Sequence, residues 1–156
     1  MQNDFLDRLN DAIANKDTVA LILAEMDHRQ RIAEYIGIPR YSEITESLER
    51  VFAKFENSTL YKNAFLVLLT GEAANRAAEV AEEIRAEVEA LKIPLDESQH
   101  VTMHFGVTRA SSDWRGIESL ILFAEDAIKL GQERLGANRV FVESHITVLV
   151  ESHTML

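Results

Sequence analysis

The sequence predicts an α+β domain with one mixed, mainly antiparallel sheet of about five strands covered by helices. Three observations predict it. Apolar β-branched runs alternate with amphipathic helical runs along the chain. Two of the strand-like runs are adjacent: Ser58 to Thr70 (STLYKNAFLVLLT) folds back on itself at Lys62-Asn63. The second arm of that hairpin, Phe65 to Leu69, is apolar throughout, as a strand buried on both faces must be.

The elements follow in order. Asp4 to Ala14 places Phe5, Leu6, Leu9, Ala12 and Ile13 at helical spacing behind a possible cap at Asn3 or Asp4. Thr18 to Ala24 (TVALILA) reads as a central strand that ends at Glu25-Met26-Asp27. Its two carboxylates stand two residues apart, so both point to one face. His28 to Ile36 is helical and stops at Gly37-Ile38-Pro39. From Arg40 to Phe55 the residues Ile44, Leu48, Val51, Phe52 and Phe55 keep one helical face. After the hairpin, Glu72 to Lys92 reads as a single helix with Ala73, Ala77, Ala81, Ile84, Val88 and Leu91 inward, ended by Pro94.

His100 to Arg109 alternates Val101, Met103, Phe105 and Val107 with Thr102, His104 and Thr108, the pattern of a half-covered strand. Ser111-Ser112-Asp113 offers a cap for a helix from Ile117 to Leu135, closed by Gly136. Asn138 to Glu143 is a strand, and Ile146 to Val150 reads as one more. The split β-α-β order of a ferredoxin-like core lies within this series.

Composition limits what such a domain can do. The 156 residues fit one domain, 1–156, and 47% hydrophobic content supplies a core. A formal charge of −10 disfavours nucleic acid and anionic membranes, and the longest apolar runs are too short to cross a bilayer. No secretory signal is visible and there is no cysteine, so the expected location is cytoplasmic. No cofactor is expected. The chain carries no Ser-His-Asp spacing, P-loop, dinucleotide fingerprint or HExxH.

The order of elements and several local phrases resemble the GGDEF domain of diguanylate cyclases, which condense two GTP molecules into cyclic di-GMP on a nucleotidyl-cyclase palm. The resemblance runs from about Phe5 to Val142. The family's D-x-D-x-F-K-x-x-N-D-x-x-G-H-x-x-G-D matches Glu25 through Ser42. Its v-T-x-S-x-G-V is similar to Val101-Thr102-Met103-His104-Phe105-Gly106-Val107, and its closing G-x-N-R-V to Gly136-Ala137-Asn138-Arg139-Val140.

The departures fall on the residues that the resemblance makes functional. The hairpin signature is replaced by Tyr61-Lys62-Asn63-Ala64-Phe65. The first metal-binding aspartate corresponds to Glu25, and the acidic pair of the hairpin to Asn63 and Ala64. Guanine-contacting Asn and Asp fall on Ala33 and Ser42; phosphate-contacting lysines fall on Gln30 and on Gln132 or Glu133. The Arg-x-x-Asp product-inhibition motif falls on Phe52-Ala53-Lys54-Phe55 and is absent.

The resemblance therefore implies an inactive GGDEF-like domain, a regulatory or interaction module that binds a protein partner or a second copy, and one that in this family commonly forms part of a longer protein. Vestigial ligand positions are Glu25, Asp27, Lys62 and Asn63, with no catalytic residue and no metal site. One alternative is a non-catalytic sensor of GTP or cyclic di-GMP; another is an enzyme of different chemistry using Glu25, Asp27 and His104.

Plainer readings stand beside these. Carboxylates at the end of a strand are often ordinary loop residues. His100 and His104 would stand about 13 Å apart in a strand, too far to share an ion. His104 is expected to be partly covered and hydrogen-bonded to a neighbour, Lys62 to be an exposed turn residue, and Arg85 to pair along its helix with Glu82 and Glu89.

Overall fold

The computed structural model describes residues 3–15, 18–95, 98–109 and 117–142. Its elements run α1 (Asn3–Ala14), β1 (Val19–Met26), α2 (Arg29–Phe52), β2 (Ser58–Tyr61), β3 (Ala64–Thr70), α3 (Glu72–Asn75), α4 (Ala77–Leu91), β4 (Met103–Arg109), α5 (Ile117–Leu135) and β5 (Val140–Val142). The five strands form one sheet in the order β2-β3-β1-β4-β5. All neighbours are antiparallel except β4 and β5. The expected α+β architecture is the observed one.

β1 lies at the centre because it is apolar on both faces. Ala20, Ile22, Ala24 and Met26 join one core with α2 and α4, while Val19, Leu21 and Leu23 join another with α1 and α5. In the first core Phe52 of α2 stacks on Phe65 of β3, ring centroids 4.4 Å apart. The hairpin closes as expected. Lys62 and Asn63 take φ of 48° and 68°, the pair of left-handed residues a tight two-residue turn requires.

Three expectations are corrected. The helix expected over Glu72 to Lys92 breaks at Arg76 (φ −107°, ψ 18°). Before the break Ala74 is buried where Ala73 was expected; after it Ala77, Ala81, Ile84 and Val88 are buried as expected, and Leu91, the last residue of α4, is exposed. A run of alanines gives little apolar contrast to set the phase there in advance.

The second correction concerns β4, which begins at Met103. His100 makes only an isolated bridge with Pro94. The third concerns the outer face of that strand, expected to be half covered: His104 and Thr108 are buried. The reason is Gly106. A Cβ there would lie 2.4 Å from the carbonyl oxygen of Ala124, so glycine is what lets α5 lie directly on β4.

The two helices expected on either side of Gly37 are the two parts of α2, separated where Gly37 adopts the non-helical φ 80° and ψ 164°. The cap expected at Ser111 to Asp113 and the strand expected at Ile146 to Val150 lie outside the described residues.

Candidate functional site

The site forms where three strands meet at one level. β1 and β4 pair so that Glu25 faces His104, and one step beyond the Ala24–Phe65 pair Ala64 of β3 faces Glu25 from the other side. Side chains directly opposed across antiparallel strands share a face. Glu25 is therefore flanked by an imidazole and a methyl group, on the face that α5 covers. Asp27, two residues on, shares that face.

His104 holds both carboxylates. Its Nδ1 lies 2.6 Å from Asp27 Oδ1 and its Nε2 lies 3.3 Å from Glu25 Oε1. The other oxygen of Asp27 accepts from the Thr102 hydroxyl at 2.6 Å and from the backbone N–H of Asn138 at 2.9 Å. Gln132 of α5 lies 3.0 Å from His104 Nδ1. Burial by itself would lower the pKa of His104, but hydrogen bonds and charge from Asp27 and Glu25 outweigh it and raise the pKa to about 9. The ring is then an imidazolium at neutral pH, donating to each carboxylate. With Nδ1 donating to Asp27, the Gln132 amide must turn its carbonyl end to the ring.

The residues expected at this end of the sheet are only partly brought together. Glu25 and Asp27 meet on His104. Lys62 does not join them: its ammonium lies over the Tyr61 ring, 5.2 Å from the centroid. Asn63 lines a cleft of about 320 Å³ with Met26, Tyr41, Ser42, Thr45, Glu46, Glu49 and Met103 among its walls. His100 lines a different cleft of about 420 Å³ beside His28, Arg31 and Glu89. Arg85 pairs with Glu82 at 2.6 Å and with Glu89 at 3.4 Å, as the helical spacing predicts.

Sequence reasoning placed Glu25 and Asp27 on one face and grouped them with His104 only as an alternative candidate site, and it missed Thr102 as a partner of Asp27. Thr102 and His104 alternate with the apolar residues of their strand, which was the available signal. The register that sets them against β1 is not written locally.

The model for the family described as "Diguanylate cyclase, GGDEF domain" matches residues 1–135. The chain belongs to the GGDEF family. Solved GGDEF structures superpose closely at low identity. The active GGEEF domain of a diguanylate cyclase from Vibrio cholerae is 18% identical, with a TM-score of 0.77 over 92% of this chain and 94% of that one. The GGDEF domain of DgcB from Caulobacter crescentus, in complex with c-di-GMP, is 22% identical, with a TM-score of 0.76 over 90% of this chain and 87% of that one. Diguanylate cyclase SiaD of Pseudomonas aeruginosa, in complex with its activator SiaC, is 19% identical with a TM-score of 0.72, covering 89% of this chain and 56% of that one. No curated protein sequence matches. No helix among the described residues is long and apolar enough to cross a membrane.

GGDEF cyclases work with Mg²⁺, and the residues here do not fit such an ion. Mg²⁺ demands near-octahedral oxygen ligation. Here Ala64 contributes no oxygen, both oxygens of Asp27 are already engaged, and Glu25 Oε1 faces a ring nitrogen. Among the described residues no set of three His, Asp or Glu side chains is arranged to hold a metal ion.

Proposed function

We propose that this GGDEF domain is catalytically inactive and serves as a regulatory or protein-interaction module in signalling, binding a protein partner or a second copy of itself. The carrying observation is that Glu25 is paired with His104 across β1 and β4 and hydrogen-bonded to it, while Ala64, the first residue of β3 beside it, carries no carboxylate. Phosphoryl transfer depends on charge placed to meet the triphosphate, and loss of one such group typically costs about 10² to 10³ in rate. Here several are altered together, so condensation of GTP is expected to be undetectable.

A nucleotide sensor is the second reading. The 320 Å³ cleft beside Asn63 and Ser42 favours it, but Glu46 and Glu49 on its wall oppose a polyphosphate. The vestigial ligand positions of that reading are Glu25, Asp27, Lys62 and Asn63.

Incubation with GTP and Mg²⁺ followed by mass spectrometry tests the proposal. No linear or cyclic dinucleotide is expected above a heat-killed control, and any such product refutes the inactive reading. Thermal unfolding with GTP or cyclic di-GMP separates module from sensor. A ligand present at 100 times its dissociation constant adds about 2.7 kcal/mol, so a shift of several degrees would favour the sensor.

A further inference from the structure

β5 ends the strand order, so one side of its backbone faces β4 and the other faces no strand among the described residues. The N–H of Phe105 donates to the carbonyl oxygen of Arg139, and the parallel register sets Phe105 beside Val140. Backbone groups alternate in direction along a strand, so those of Val140 and Val142 point outward, away from β4. Beside this edge lies a groove of about 610 Å³. Ala78, Glu82 and Arg85, at i, i+4 and i+7, form its α4 wall, and Val140 and Val142 form its β5 wall.

The chain carries a match to that edge. Val140-Phe141-Val142-Glu143-Ser144-His145 recurs eight residues later as Val148-Leu149-Val150-Glu151-Ser152-His153, with a single change that keeps the position apolar. We propose that residues 148–150 pair antiparallel with the free edge of β5 in the same chain, as a sixth strand that fills this groove. The two segments are linked by residues 143–147, and a link that short permits an antiparallel hairpin, whereas a parallel return takes about a dozen residues or more.

The pairing is consistent at each position. With Val142 opposite Val148, Phe141 falls opposite Leu149, Val140 opposite Val150 and Arg139 opposite Glu151. Directly opposed residues share a face. Val140 and Val142 belong to the core on the α4 side and Phe141 to the core on the α5 side. Val148 and Val150 then enter the groove, Leu149 extends the Phe141 side, and the charged pair is of opposite sign. A slip of one residue would send both valines to the wrong face, and a slip of two would set Arg139 against Leu149 and Phe141 against Thr147. The short link also favours this chain over a second copy as the occupant, because it holds the segment beside the edge at an effective concentration on the order of millimolar. With the edge filled, strand addition by an outside partner at β5 requires this segment to leave first. The pairing therefore guards one edge of the sheet whether or not the domain converts GTP.

Nuclear magnetic resonance of the unaltered chain tests this. Phe141 and Leu149 form a non-hydrogen-bonded pair with Cα atoms about 4.5 Å apart, so their Hα protons should show a nuclear Overhauser contact. The amides of Val148 and Val150 should exchange with solvent at least about tenfold more slowly than in a free chain. Absence of the contact, or exchange at the free-chain rate, overturns the proposal. A mixture of labelled and unlabelled chains identifies the occupant: a contact seen only between chains makes it a second copy and overturns the same-chain pairing.

A cross-link gives an independent measurement, since the chain contains no cysteine. Arg139→Cys with Glu151→Cys places two thiols on a pair whose spacing suits a disulfide. Mild oxidation should join them within the monomer, and faster than in Arg139→Cys with Val150→Cys, where the thiols lie on opposite faces. Equal rates for the two pairs, or disulfides only between chains, overturn the proposal.

Discussion

Raising the pH should remove a measurable part of the stability of this domain through His104. The folded-state pKa of about 9 lies above the ordinary histidine value of 6.5. A group whose pKa rises on folding contributes stability that is fully present below its unfolded pKa and is lost as pH climbs through the folded one. The window is therefore about pH 6.5 to 9. Within it the folded chain holds one proton more than the unfolded chain, and stability falls by about 1.4 kcal/mol per pH unit. Between pH 7 and pH 9.5 the loss is on the order of 2 kcal/mol. With a urea slope of about 2 kcal/mol per molar, the midpoint should drop by about 1 M. Urea titrations followed by circular dichroism at the two pH values measure it, with His104→Gln as the reference that removes the contributions of lysines and tyrosines. A midpoint difference that is the same in the native chain and in His104→Gln would refute the reasoning.

Two further outcomes follow from the packing. Gly106→Ala pushes a methyl group to within 2.4 Å of the Ala124 carbonyl oxygen, a backbone atom that cannot turn aside. It should cost about 1–3 kcal/mol, and thermal unfolding should show the midpoint falling by about 2–4 °C for each kcal/mol. Phe52→Ala removes a ring that is 2% exposed and stacked on Phe65, and should cost about 3–5 kcal/mol by denaturant titration, with little change expected from Leu122→Ala on the exposed side of α5.

The local chain determined a good deal of this. The apolar β-branched run Val19 to Ala24 could only be a central strand, since each of its faces needs a covering core. Lys62-Asn63 fixed the hairpin because a two-residue turn and the strong strand Phe65 to Leu69 leave one register. The residues of the hairpin tip, Tyr61-Lys62-Asn63-Ala64-Phe65, are a matter of identity and were legible outright.

What only the tertiary structure decided is the company those residues keep. The alternation of His100 to Arg109 marked His104 as lying on the more polar face, but Gly106 admits α5 onto that face and buries it. The pairing of Glu25 with His104 joins residues 79 positions apart. No period or spacing encodes such a pairing, because register between distant strands is set by the whole core. That same pairing inverts the electrostatic meaning of the histidine. In the sequence it is one polar residue in a strand; in the fold it is the cation held by two carboxylates, because burial makes each charge depend on the other.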